Sequence, residues 1–165
     1  MAREMERLSN IVNEVGRRDG VDDLRLGSEG TAALTFKSGK RIFFEYVEES
    51  ARLFVYTPLM HLPPDEERLS TLLKSMLTCN FLKLDTGKGE LSISPDMQQA
   101  IYQVGLDIHG LDADQLDNAI NDVLKQRDEC LYQLEHGQSI EVKVPRAFAG
   151  TSTFHRLARL SQKQE

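Results

Sequence analysis

The stretch LDTGKGELS, residues 84–92, holds a Gly87-Lys88-Gly89 cluster, the residue types from which phosphate cradles are made. In a phosphate loop of the form G-x-x-x-x-G-K-[ST], a strand comes first and a helix follows, so that backbone amides and the helix amino terminus converge on the anion. Here the order is reversed. The cluster follows a helical pattern and leads into a strand pattern, and the position of the upstream glycine is Leu82. A connecting turn is the reading that fits.

The other chemistry-bearing residues are dispersed. His61, His109, His136 and His155 lie far apart, and the acidic pairs Asp22-Asp23 and Glu48-Glu49 fall in polar turns where carboxylates are solvated. No Gly-flanked Ser or Cys forms a nucleophile elbow. Cys79 and Cys130 sit inside helical patterns without a C-x-x-C or a neighbouring His, so reduced thiols are expected rather than a disulfide or a zinc site. No catalytic group, cofactor or metal is expected, and a binding protein is favoured.

Charge narrows the partners. The 165 residues carry a net charge of -6 from 26 acidic and 20 basic side chains, an acidic surface that repels nucleic-acid phosphate. The charge is uneven: residues 138–165 hold five basic and two acidic residues, net +3, leaving -9 on residues 1–137. The amino terminus MAREMERLSN has no apolar leader segment, and no window approaches the run of about 18 apolar residues that a membrane span needs. A cytoplasmic protein without a membrane span is expected.

The elements that must position any site are legible in the apolar spacing. Met5, Leu8, Ile11, Val12 and Val15 recur at helical intervals, with Gly16 and Gly20 expected to help end that helix. Three strand-sized runs follow, TAALTFK, RIFFEYV and ARLFVYTPL, parted by Ser38-Gly39 and Glu48-Glu49-Ser50, which predicts an antiparallel meander. Pro63 and Pro64 are expected in the first turn of a second helix, 66–82, whose apolar face is Leu69, Leu72, Leu73, Met76, Leu77 and Phe81. ELSIS and QAIYQVGLDI predict a second hairpin about Pro95-Asp96, with Ala100, Tyr102, Val104, Leu106 and Ile108 on one strand face. A last helix starts at an Asp112 cap with Gln115 three residues on and ends at Gly137. The fold class is α+β, a twisted antiparallel sheet of about five strands with three helices in the order α-βββ-α-ββ-α.

The elements are short for the apolar residues they carry. Helix 66–82 has a face broad enough to bury in two directions, and Phe43, Phe44, Phe54 and Tyr56 put aromatics on both faces of the meander. The surplus belongs to a core served by all three helices, to a dimer interface or to a partner surface.

Over about residues 5–136 the chain resembles the class I type III secretion chaperones. The resemblance lies in the first helix, the GSEGTAALTFKSGKRIFFEYV entry to the meander, the LLKSMLTCNF helix with Asn80, the GKGELSIS strand entry and the GLDADQLDNAINDVL opening of the last helix. It implies an α+β homodimer without enzymatic activity that binds the extended amino-terminal segment of one or more effectors and aids delivery to the export apparatus, whose secretion ATPase is a candidate partner. Such a segment adds backbone hydrogen bonds at strands and sets apolar side chains into surface patches, for which Leu8, Ile11, Val12, Phe36, Phe43 and Phe44 are the candidates. The implied dimer interface is Leu69, Leu72, Leu73, Met76, Leu77, Leu91 and Ile93. A regulatory adaptor of the same fold, sequestering a regulator, is the alternative.

One segment departs from that pattern. Residues 138–165 form a basic extension beyond the expected domain of 1–137; SIEVKV alternates as a strand would, and TSTFHRLARLSQKQE has helical spacing around Phe154, Leu157 and Leu160.

Overall fold

The fold, taken from a computed structural model, is described for residues 2–83 and 86–136. The basic extension, with the strand expected at SIEVKV and the helical spacing after it, and the expected helix end at Gly137 lie outside the described residues. The order is α1 (Ala2–Arg18), β1 (Thr31–Thr35), β2 (Arg41–Val47), β3 (Arg52–His61), α2 (Glu66–Asn80), β4 (Glu90–Ser94), β5 (Gln99–Asp107) and α3 (Ala113–His136). The expected α-βββ-α-ββ-α order and the α+β class are therefore observed.

All five strands form one antiparallel sheet in the order β1-β2-β3-β5-β4. The second hairpin thus joins the meander through β5, and β1 and β4 become the two edges. Residues of alternating burial sort the sheet into two faces. On one face Leu34, Ile42, Phe44, Leu53, Val55, Thr57 and Val104 are buried; α3 packs against β3 and β5, α1 packs against α3, and α2 packs against β4. Tyr102 and Ala100 lie on this face as expected.

Local chemistry sets the helix ends. The Asp65 carboxylate accepts from Arg68 N–H (2.9 Å), which makes it the N-cap of α2 and places Pro63 and Pro64 ahead of the helix, not in its first turn. At α3 Asp112 and Gln115 cap each other reciprocally, Gln115 N–H to the carboxylate at 2.7 Å and Asp112 N–H to the amide oxygen at 3.1 Å. Gly16 does not end α1, which runs on to Arg18. A Cβ there would lie 2.7 Å from Leu24 Cβ, so the glycine admits the returning chain against the helix. Arg7 ties α1 to the loop before α3 by donating to the Ile108 and Leu111 carbonyls.

Candidate partner-binding surface

The second face of the sheet carries a row of side chains set by strand register. Ala33, Phe43, Tyr56, Gln103 and Glu90 are successive cross-strand partners from β1 to β4, so their side chains share one face. Phe43 and Tyr56 stack with centroids 5.3 Å apart and planes within 13°, Arg41 lies 5.6 Å over the Phe43 ring, and Gln103 donates to Glu90 at 2.9 Å. Both rings are half-buried. Burial raises the Tyr56 phenol to about 12, with the Glu45 charge beside it adding to the shift. Phe54 belongs to the neighbouring row and lies over Gly105, where a Cβ would meet its ring edge at 3.0 Å.

Among the described residues this face ends at an open strand edge. Tyr46 N–H donates to the Gly30 carbonyl and Phe36 N–H to the Lys40 carbonyl, each at 2.9 Å, so the even-numbered residues of this segment turn their backbone groups toward β2. Thr31, Ala33 and Thr35 therefore point theirs outward. The Thr31 carbonyl accepts from Gly27 N–H at 2.8 Å, while Ala33 and Thr35 have no such partner among the described residues. Two successive outward residues are what an extended chain needs to add as a strand.

The structure divides the six expected patch residues. Leu8 and Val12 are fully buried and Phe44 is 1% exposed, so these three are core and have no surface to offer. Ile11 and Phe36 are half-buried against that core, and Phe43 lies on the aromatic row. Ala33, Thr35 and Tyr56 share this edge and row without being among the expected patch residues, since a backbone edge has no side-chain signature and Tyr56 joins Phe43 only through register.

The seven expected interface residues divide likewise. Helix α2 presents two stripes: Leu72, Met76 and Cys79 are buried inward, whereas Leu69, Leu73, Leu77 and Phe81, four residues apart, run along its flank. Leu91 is also core. Leu77 is 72% exposed, Phe81 52%, Ile93 36% and Tyr132 63%, the large apolar side chains left most open among the described residues. Phe81 continues the Leu73–Leu77 spacing and was readable; Tyr132 sits among polar neighbours on α3 and was not.

A cleft of about 680 Å³ between α3 and β5 is lined by Lys88, Asp107, His109, Asp122 and Lys125 over a floor that includes Val104 and Leu111. His109 donates to Asp107 from its backbone and its ring, which holds that carboxyl below its usual value. Among the described residues the lining has no Ser, Thr or Cys, and no three metal-capable side chains converge. The Thr86–Gly89 turn leads into β4 as a turn should: Tyr102 Oη donates to the Thr86 carbonyl (2.7 Å) and accepts from Gly89 N–H (3.1 Å). One amide of the turn is thereby occupied within the chain.

The family model for the Tir chaperone protein (CesT) family matches residues 10–130. The chain belongs to that family. Its fold is similar to the crystal structure of the ExsC–ExsE complex, with a TM-score of 0.66 at 13% identity over 79% of this chain and 95% of that one. It is similar also to the HopA1–SchA chaperone–effector complex, TM-score 0.58 at 11% identity over 76% of this chain and 93% of that one. A third similarity is to the Yersinia pestis type III secretion chaperone SycH in complex with a fragment of YscM2, TM-score 0.53 at 15% identity over 73% and 96% of the two chains. Curated protein sequences give no match. Among the described residues no helix is long and apolar enough to cross a membrane.

Proposed function

We propose that this protein is a cytoplasmic type III secretion chaperone that holds the extended amino-terminal segment of an effector, with no catalytic step, and keeps it competent for export. The observation that carries the mode of binding is the open β1 edge at Ala33 and Thr35 beside the Phe43–Tyr56 row. An effector segment adds to β1 through its backbone and lays alternate apolar side chains on the aromatic row and against Ile11 and Phe36. A second copy covers the Leu77, Phe81, Ile93 and Tyr132 flank, because large apolar side chains left in water cost about 25 cal/mol for each Å².

Co-purification from the native bacterium tests the reading. A secreted partner protected from proteolysis over an extended amino-terminal segment is expected. Ala33→Pro, which removes one outward N–H from an edge strand, should release that partner without unfolding the chaperone. A captured DNA-binding regulator would make the protein a regulatory adaptor instead, and binding unchanged by Ala33→Pro would remove β1 as the docking edge.

A further inference from the structure

The sheet has two edges, and they are not equivalent. Asn80, the last residue of α2, donates from Nδ2 to the Leu91 carbonyl (2.9 Å) and accepts at Oδ1 from Leu91 N–H (2.8 Å). A carboxamide presents donor and acceptor side by side in a plane, as the peptide unit of a neighbouring strand does, and here it meets β4 on the side away from β5. Both partners belong to the backbone of one residue, so the orientation of the amide is fixed by them. The Asn80 position is held in turn by the inward stripe of α2, Leu72, Met76 and Cys79.

We propose that Asn80 closes the β4 edge, so that an extended partner adds to β1 alone; the second clause rests on the strand-addition reading above. The outward positions on this side are Gly89, Leu91 and Ile93. Gly89 N–H is taken by Tyr102 Oη and lies 3.2 Å from the Thr86 carbonyl, and Leu91 is bonded on both sides by Asn80. Ile93 alone remains, and one residue gives an incoming strand no register. At β1 two consecutive outward residues, Ala33 and Thr35, are open among the described residues. Closing β4 also keeps copies of the chain from pairing edge to edge, the usual hazard of a bare strand.

Hydrogen exchange on the wild-type protein without partner tests the closure first. The Leu91 amide should exchange at least about ten-fold more slowly than the Ala33 and Thr35 amides, as a hydrogen-bonded edge amide does beside open ones. Asn80→Ala should remove that difference and add concentration-dependent species larger than wild type in sedimentation velocity. Ser92→Lys in the same chain, a charge on the β4 edge and on the sheet face away from the apolar flank, should abolish them. Asn80→Asp, which keeps the acceptor but sets a carboxylate against the Leu91 carbonyl, should behave as Asn80→Ala. Equal exchange at Leu91, Ala33 and Thr35, or Asn80→Ala sedimenting as wild type, would overturn the proposal, as would larger species indifferent to Ser92→Lys. Should the Asn80 variants fail to fold, the wild-type exchange comparison decides alone. None of these readouts needs a partner, so a failure of Ala33→Pro to weaken binding would count against strand addition at β1 and leave the closure of β4 standing.

Discussion

Gly89→Ala probes the contact that makes the Thr86–Gly89 segment a strand entry. A Cβ at Gly89 would lie 2.3 Å from Tyr102 Cζ and Oη and 2.6 Å from the Gln103 carbonyl oxygen. Neither neighbour can withdraw: Tyr102 is 2% exposed, and the Gln103 carbonyl is strand backbone in register with Glu90. Forcing a methyl into a filled site costs about 1–3 kcal/mol, and an unyielding site belongs at the upper end. Displacing the ring also strains its bonds to the Thr86 carbonyl (2.7 Å) and Gly89 N–H (3.1 Å). With about 1 kcal/mol for those, the total is about 4 kcal/mol. In a chain of this length that is roughly a 10 °C fall in midpoint.

Thermal unfolding followed by circular dichroism, with urea titration for the free energy, measures both parts. Tyr102→Phe removes only the hydroxyl and should cost about 1–2 kcal/mol, roughly 5 °C. A Gly89→Ala protein melting within about 1 °C of wild type would refute the packing. A rise in the wild-type midpoint on adding pyrophosphate or ATP would refute the assignment of Gly87-Lys88-Gly89 as a turn, because a ligand that binds only the folded state stabilises it.

Wild type should sediment as the proposed dimer and Leu77→Glu with Phe81→Ser as a folded monomer, whereas Met76→Glu should unfold the chain because Met76 is core. Phe43→Ser should weaken partner capture with little loss of stability, while Phe44→Ala, one residue away on the buried face, should cost about 3–5 kcal/mol. Burial raises both Tyr102 and Tyr56 to about 12, so the folded chain keeps protons that the unfolded chain releases from about pH 10 upward. The contribution of these two phenols to stability should therefore be constant from neutral pH to about 10 and be lost between about 10 and 12, and the fall over that window should be less steep in Tyr102→Phe. Truncation after Gly137 should leave the chain folded by circular dichroism and in the same association state as the full chain, since the described core is formed by residues before it; an insoluble product would put the extension inside the fold.

Element type was legible wherever one periodicity dominated. Ala100, Tyr102, Val104 and Leu106 fall at every second position, and Asp112 with Gln115 announces a helix start by local hydrogen bonding alone. Orientation was not legible where both alternatives are apolar. Phe43 and Phe44 are equal by composition, and it is the pairing of Phe44 with Val55 and of Val55 with Val104 that turns Phe44 inward and leaves Phe43 on the open face. Leu8 and Val12 look like any amphipathic stripe until α1 is seen to pack on α3.

The same distinction separates the two halves of the proposed binding surface. Helix α2 reads as one broad apolar face, and only its position against β4 and α3 splits that face into an inward stripe and an outward one. What remains outside after the chain has folded is what a second chain can use, and that remainder is a property of tertiary contact, not of local pattern. Asn80 is the sharpest case. The LLKSMLTCNF stretch marks Asn80 in the sequence without saying what it bonds, because the group it satisfies lies eleven residues on, across a turn and on a different element. A polar residue at the end of an apolar helix reads as a terminus; placed against Leu91, it decides which edge of the sheet remains open to another chain.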